Sequence, residues 1–149
     1  DHRSEHAWGF ELIGAVARAA YEAAGIGPEQ VDVVELHDCF AHNELITYEG
    51  LGLCGEGEAA KFIDDGDNSY GGRIVTNPSG GLLTGNSLFS GGLQRIGYAA
   101  HSILTGDAQT AVAHATSGPL LQQNMVVTLQ GDSNSGDSQR GDSNVGDDN

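Results

Sequence analysis

The stretch VELHDCFAHNEL, residues 34–45, decides how the rest of this sequence is interpreted. Its first residues close a short Val-rich run, VDVVEL at 31–36, which is typical of a buried strand. Histidines, acids and a cysteine follow directly, and a helix is predicted over about 41–51. From this pattern alone, the polar turn is either a catalytic cluster at the end of a strand or only the polar start of a helix.

Helical and strand patterns alternate on both sides of this stretch. Leu12, Val16, Ala19 and Ala23 recur at helical spacing, and Gly25 begins the signal that stops the helix. The predicted elements, in chain order, are a helix over 8–24, the strand 31–36, the helix 41–51, a long loop over 54–71, a strand over 73–77, a helix after the glycine-rich segment 79–92, and strands over 110–115 and 125–129. This order predicts a layered α/β domain over residues 1–130, a mixed sheet covered by helices.

The end of the chain has a different composition. From Gly131 it runs GDSNSGDSQRGDSNVGDDN, a repeat of Gly, Asp, Ser and Asn with almost nothing apolar. Such a segment cannot bury enough apolar surface to fold, so residues 131–149 are predicted to form a disordered acidic tail. Calcium binding by the Asp and Asn oxygens is the weaker alternative, because calcium sites need a preformed loop with convergent ligands.

The charge balance limits the partners of this protein. Six Lys and Arg stand against 21 Asp and Glu, which gives a net charge of −15 at neutral pH. Such a chain is repelled by phosphate backbones and anionic membranes, so we expect no nucleic-acid or membrane binding. Adaptation to high salt is left open as a second explanation, because screening removes the self-repulsion of the charge.

Compartment and metal binding are also constrained. No apolar run approaches the roughly 20 residues that span a bilayer, and we expect no signal region, because the amino terminus lacks the basic and apolar pattern of one. Cys39 and Cys54 lack the paired spacing of a zinc ribbon or a disulfide scaffold, which favours a reducing cytoplasm. His2, His6 and His114 lack metal-ligand spacing among themselves, so no metal site is predicted.

Three loops are candidates for a functional site. Connected helices begin at the carboxyl ends of strands and direct backbone amides towards a ligand there. The loops in question cover residues 37–43, 77–92 and 115–123.

These loops carry a resemblance to a known family. The phrases VELHDCFAHNELITYEGLGLC, GDNSYGGRIVTNPSGGLLTGN and AHATSGPLLQQNMVVTL, in this order, resemble the carboxyl-terminal half of thiolases of the sterol carrier protein and lipid-transfer type. The resemblance covers roughly residues 6–130 and rests on the HDCF and NPSGG segments together. It implies a thiolase-like carboxyl-terminal domain.

Thiolases join or cleave acyl groups on coenzyme A, and their nucleophilic cysteine lies in the amino-terminal half. The resemblance therefore implies a coenzyme A thioester as substrate, with no separate cofactor. It also implies that the nucleophile is supplied from outside these residues, so we expect them to be inactive alone.

The HDCF segment suggests two catalytic residues. His37 matches the histidine that donates a hydrogen bond to the thioester oxygen, where charge develops in the transition state. Cys39 matches the cysteine that acts as acid/base in this branch, and a nearby helix terminus and imidazole favour a thiolate. The alternatives are that His37 only caps the next helix and that Cys39 is a buried, inert thiol. Asp38 is expected to cap that same helix.

The other two loops depart from the family pattern. Where thiolases have Gly-His-Pro, the alignment places Asn86, which can donate a hydrogen bond but cannot act as a base. The Cys-x-Gly of typical thiolases falls at a segment without cysteine that ends in Gly118. We expect Ser79, Gly80 and Gly81, together with Gly118, to line the substrate-binding wall, since Gly permits close backbone approach; a plain tight turn is the alternative.

The resemblance predicts an acyltransferase acting on acyl-CoA by Claisen condensation or thiolysis. Its alternatives are a thiolase-like retro-aldolase on a CoA-linked side chain, which tolerates loss of the histidine, and a non-catalytic acyl-CoA-binding subunit. Expected partners are acyl-CoA, the amino-terminal thiolase half or a companion chain, and a second copy in a homo-oligomer. A small zinc-containing OB-fold subunit, which some relatives recruit, is a further candidate partner.

Overall fold

The computed structural model describes residues 10–85, 89–118 and 122–132. Six stretches are helical: α1 Phe10–Ala24, a 3-10 turn at Pro28–Gln30, α2 Ala41–Gly50, α3 Ala59–Asp64, α4 Gly81–Thr84 and α5 Gly91–Leu104. Four are strands: β1 Val33–Glu35, β2 Val75–Thr76, β3 Thr110–Ser117 and β4 Gln123–Gln130. The α/β class predicted from the sequence is confirmed.

The four strands form one mixed sheet in the order β2-β1-β3-β4. β1 runs parallel to both β2 and β3, with Val33 opposite Val75 on one side and Ala111 on the other. β4 returns antiparallel to β3, and Thr110 lies opposite Gln130. Because β1, β2 and β3 are parallel, the loops that follow them leave the sheet at the same edge.

One face of the sheet packs against α1, α2 and α3. Its buried core consists of Ile13, Ala17, Tyr21, Val31, Val34, Leu36, Tyr48, Leu51, Leu53, Ala59, Phe62, Ile74 and Val112. Complete burial of a side chain such as Leu36 contributes about 1.5–3 kcal/mol. This face therefore supplies most of the driving force for folding.

The opposite face is covered by α5. Val33, Ala111 and Ala113 point to this side and contact Ala99 of the helix. Successive strand residues alternate between faces, so Glu35 shares the α5 side with Val33. The sheet therefore has three helices on one face and α5 on the other.

The sequence prediction differs from the structure in several places. The predicted strand 31–36 is limited to Val33–Glu35, and the predicted strand 73–77 is likewise limited to Val75–Thr76. The predicted loop 54–71 contains α3, which is held by Ala59 and by the ring of Phe62 against Tyr48. The prediction also did not separate α4 from the glycine-rich segment that contains it.

Several predictions fall outside the described residues: Asn86, the first two residues of the helix 8–24, and the tail from 133 onwards. Within the three described ranges, no helix has the length and apolarity that crossing a membrane requires.

Candidate active site

A cleft of about 760 Å³ opens at the carboxyl ends of β1 and β3. His37 and Cys39 enter it from the segment after β1, and Phe40 continues its wall. The remaining lining comes from the start of α5 and from the ends of β3 and β4 that face each other, at Phe89, Gly91, Gly92, Ala115, Thr116, Ser117, Gln123, Asn124 and Met125. The structure thus brings together the two side chains that the HDCF segment suggested.

His37 is partly buried in this cleft. Its Nδ1 atom is buried and has no hydrogen-bond partner among the described residues. Burial lowers the pKa of His37, although the neighbouring Asp38 carboxylate opposes that shift. Because burial disfavours the charged form, the imidazole is neutral at neutral pH and can donate one N–H to a ligand.

Cys39 lines the same cleft as a free, partly buried thiol. The side-chain amide of Asn43, on the first turn of α2, donates to Cys39 Sγ at 2.9 Å. Sequence reasoning missed Asn43, although a spacing of four residues across a helix start is the signal that would have found it. The contact fixes the sulfur atom relative to α2.

The loop over residues 77–85 is attached to the end of β1. Asn77 adopts the left-handed conformation, with φ of 47°, which Asn tolerates better than most residues. Its Oδ1 accepts the amide of Leu36 at 2.7 Å, while its own amide donates to the carbonyl of Val34 at 2.8 Å. Asn77 therefore ties the start of this loop to the end of β1, directly before His37.

Glu35 forms the second attachment of the 77–85 loop. The Ser79 amide donates to one carboxylate oxygen at 3.1 Å, and its hydroxyl donates to the other at 2.7 Å. Arg95 of α5 lies 3.3 Å from the same carboxylate, and both charged side chains are almost completely buried. Burial raises the pKa of Glu35, and the Ser79 donors and the Arg95 charge counteract it.

Asp38 forms the third attachment. Its Oδ1 accepts the amide of Leu82 at 2.6 Å, at the start of α4. The expectation that Asp38 caps the helix after the HDCF segment is wrong, because the N-cap of α2 is Phe40 and makes no side-chain cap bond. Asp38 instead caps a helix from a different loop, 44 residues further along the chain.

The predicted wall residues lie behind these attachments. Ser79 and Gly81 line a smaller cavity of about 370 Å³ that also contacts Arg95, and they are not among the residues that line the cleft. Gly80 has a φ of 89° at the N-cap of α4. Gly118 follows β3 with a φ of 88°. None of these four predicted wall residues lines the cleft, and Asn86 lies outside the described residues.

His114 is a further residue that sequence reasoning passed over. It is completely buried on β3, and burial lowers its pKa to about 4. The His37 amide donates to its Nδ1 at 3.5 Å, so Nε2 carries the proton, 3.2 Å from Asn124 Oδ1. Its signal in the sequence was a single histidine inside the apolar run TAVAHA.

Metal binding has no support in the described ranges, where no three His, Cys, Asp or Glu side chains lie close enough to hold an ion. What the site offers is one neutral imidazole and one thiol facing a common cleft, on backbone attached to the 77–85 loop at three points.

Comparisons with known proteins agree with this architecture. A family model described as "Thiolase C-terminal domain-like" matches residues 2–130. "Sterol carrier protein 2" of Rattus norvegicus is 55% identical over 86 residues, which is 57% of this chain and 16% of that protein. "Acetyl-CoA acetyltransferase" of Methanocaldococcus jannaschii is 40% identical over 99 residues, which is 64% of this chain and 25% of that protein.

A solved structure is also similar. "Ltp2-ChsH2(DUF35) aldolase" superposes with a TM-score of 0.74 at 28% identity, covering 85% of this chain and 33% of that one. The chain therefore spans between 16% and 33% of the length of these proteins.

Proposed function

This chain belongs to the thiolase carboxyl-terminal domain family, and on that premise we propose that it supplies His37 and Cys39 to a thiolase-type active site for acyl-CoA. The reaction is Claisen condensation or its reverse, thiolysis. The observation that supports this most directly is the common cleft of the two side chains at the carboxyl ends of β1 and β3.

In the condensation direction, the roles follow from the chemistry of the two groups. The neutral His37 donates its N–H to the thioester oxygen of the CoA substrate, and Asn86 is a second donor. The Cys39 thiolate removes a proton from the α-carbon, and the resulting enolate is stabilised by these donors. The carbanion then attacks an acyl group held as a thioester on a cysteine from outside this chain. A carbon–carbon bond forms, and that cysteine leaves as a thiolate.

The nucleophile and the remaining walls need other segments. We include in the proposal an amino-terminal thiolase half or a companion chain, a homo-oligomer, and an OB-fold subunit. Exposed apolar side chains support a covering partner: Phe40 and Phe89 line the cleft and are well exposed, and Leu83 and Leu93 are exposed elsewhere on the surface. The cytoplasmic location expected from cysteine usage belongs to the same proposal.

A second candidate is a retro-aldolase that cleaves a carbon–carbon bond in a hydroxyacyl-CoA. The similarity to a solved structure titled as an aldolase favours it. Asn86 also fits better here, because aldol cleavage does not require a base that activates a cysteine nucleophile.

The test uses the protein together with its amino-terminal half, on the same chain or as a companion. Acetoacetyl-CoA and free CoA are supplied, and loss of the thioester is followed. We expect His37→Ala to lower kcat about 100-fold, because loss of one oxyanion donor typically costs about 3 kcal/mol. We expect Cys39→Ala to lower kcat by at least as much.

Cys54→Ala is the matched control. Cys54 is the other free thiol, packs beside the core, and has its pKa raised to about 11, first by burial and then by Glu49 and Glu58. Its loss should leave the rate unchanged. Equal rates for wild type and Cys39→Ala, or no turnover at all, would eliminate the thiolase proposal. Release of an aldehyde or ketone from a hydroxyacyl-CoA supports the aldolase, and tight acyl-CoA binding without either activity supports a binding subunit.

A further inference from the structure

The carboxyl end of β1 is held by a loop that is distant in the sequence. Three side-chain links connect residues 35–38 to the 77–85 loop, and each spans 41 or 44 residues of sequence. Two of them use carboxylates, which make stronger hydrogen bonds than neutral acceptors. The start of the HDCF segment is therefore held by contacts with residues distant in the sequence.

Asp38 is the link closest to the chemistry, because it stands between His37 and Cys39 in the chain. Asp38 is 4% exposed and is not among the residues that line the cleft, whereas both of its neighbours are. The Oδ1 atom accepts the amide of Leu82, and a Cβ on Gly81 would overlap the carboxylate. The Leu82 amide donates to this carboxylate, and the absence of a side chain at Gly81 leaves the space that the carboxylate occupies.

We propose that Asp38 is a positioning residue: by accepting the Leu82 amide, it fixes the peptide units on either side and so sets where the side chains of His37 and Cys39 point. This inference rests on the proposed function for its catalytic consequence. A displacement of about 1 Å in a catalytic group can cost on the order of 100-fold in rate. Loss of the link should therefore reduce turnover although Asp38 touches no substrate.

The charge of Asp38 also acts on His37. The carboxylate favours the protonated imidazole and so opposes the effect of burial on the pKa of His37. Asp38→Asn separates the two contributions, because the amide oxygen still accepts from Leu82 while the charge is removed. Asp38→Ala removes both.

Asp32, directly before β1, provides a control. Its Oδ2 accepts the amides of Gln109 and Thr110, both at 2.9 Å, at the end of β1 that is remote from the cleft. It is again a carboxylate that holds backbone amides of a distant segment. Asp32→Ala therefore removes a link of this kind at an exposed position, without a change next to His37.

The experiment measures kcat and KM of the complete protein in whichever of the two reactions it catalyses. We expect Asp38→Ala to lose tenfold or more in kcat with KM changed less than about threefold, and Asp38→Asn to keep at least half of the wild-type kcat. Asp32→Ala should keep the wild-type kcat. Equal losses in Asp38→Ala and Asp32→Ala, or a loss in Asp38→Asn as large as in Asp38→Ala, would overturn the proposal.

Amide hydrogen exchange, measured by mass spectrometry, tests the link without any activity. Exchange in the peptide that contains Leu82 should accelerate in Asp38→Ala but stay near wild type in Asp38→Asn and Asp32→Ala. Unchanged exchange in Asp38→Ala contradicts the link itself. If the protein has neither activity and the exchange pattern is as expected, the proposed function fails while the contact stands.

Gly81→Ala provides a second variant, because its added methyl group would overlap the Asp38 carboxylate and displace it. Gly25→Ala is its control: the two glycines have similar φ values of 65° and 69°, but no atom lies within 4 Å of a Cβ built on Gly25. Both variants suffer the same backbone strain. Only Gly81→Ala should lower kcat, and equal kcat in the two variants would count against a positioning role.

Discussion

The two ends of β1 are held by the same kind of interaction but in different surroundings. At the amino end, Asp32 is exposed and accepts two amides from the start of β3. At the carboxyl end, Glu35 and Asp38 are buried and accept donors from the 77–85 loop. Both ends fix the strand in the sheet. Only the carboxyl end combines fixed backbone with partly exposed reactive side chains.

This difference indicates what the buried carboxylates contribute. A buried ion pair such as Glu35–Arg95 adds little net stability compared with apolar side chains of the same volume, because both charges lose their hydration. An exposed carboxylate such as Asp32 avoids that cost. We interpret the polar network at the carboxyl end as selecting one conformation of the loop, and the link at the amino end as ordinary sheet stabilisation.

The largest expected effect is at the carboxyl end, in Glu35→Gln. This change leaves the Arg95 guanidinium buried without a counter-charge, which typically costs about 3–5 kcal/mol. Urea unfolding should show the loss in the free energy of unfolding. The double variant Glu35→Gln, Arg95→Leu should recover part of it, because the unpaired charge is gone. A loss below about 1 kcal/mol in Glu35→Gln would mean that the ion pair does not hold this end.

The sequence was sufficient to predict most elements of the fold. Helical spacing identified α1 and α5, and short apolar runs identified the four strands, because these elements carry local apolar patterns. α2 was predicted from its position after the first strand and the polar turn. α3 was missed because its six residues stand among Gly and acidic residues. Its stability depends on the contact of Phe62 with Tyr48, which no local pattern contains.

The candidate site was predictable only in part. His37 and Cys39 were found because they follow a strand directly and match a family phrase. The roles of Glu35 and Asp38 could not be read from the sequence, since their partners lie 44 residues away and are chosen by the topology of the sheet. Asp38 stands just before a helix and so matched the local rule for an N-cap, but its carboxylate accepts the Leu82 amide from another loop instead.

The second prediction concerns the effect of acid on the free energy of unfolding, through His114 near the carboxyl end of β3. The pKa of His114 is lowered from 6.5 to about 4 in the folded protein, so between these values the unfolded chain binds the extra proton and acid favours unfolding. The stability that neutral His114 contributes is therefore fully present above about pH 6.5. It is lost as pH falls towards 4, because the unfolded chain is then protonated at this position and the folded protein is not. Linkage gives a loss of about 2 kcal/mol between pH 7 and pH 5.

His114→Gln isolates this contribution, because Gln can still accept the His37 amide and donate to Asn124 but does not titrate. Urea unfolding at several pH values should show a shallower decline between pH 7 and pH 5 in the variant. Glu35, whose pKa is raised by burial, acts in the opposite direction in both proteins, so the comparison removes it. Parallel curves for wild type and His114→Gln would show that His114 does not bind a proton on unfolding.

The smallest effect is expected at the amino end, in Asp32→Ala. Its two hydrogen bonds to Gln109 and Thr110 are replaced by water when the exposed side chain is removed, so we expect a loss of about 1 kcal/mol in the free energy of unfolding. Thermal or urea unfolding measures it. Asp38→Ala should cost more, because the Leu82 amide stays buried without an acceptor. If instead the two variants lose equal stability, burial does not distinguish the two ends of β1. The interpretation that the carboxyl end selects a loop conformation while the amino end only stabilises the sheet would then fail.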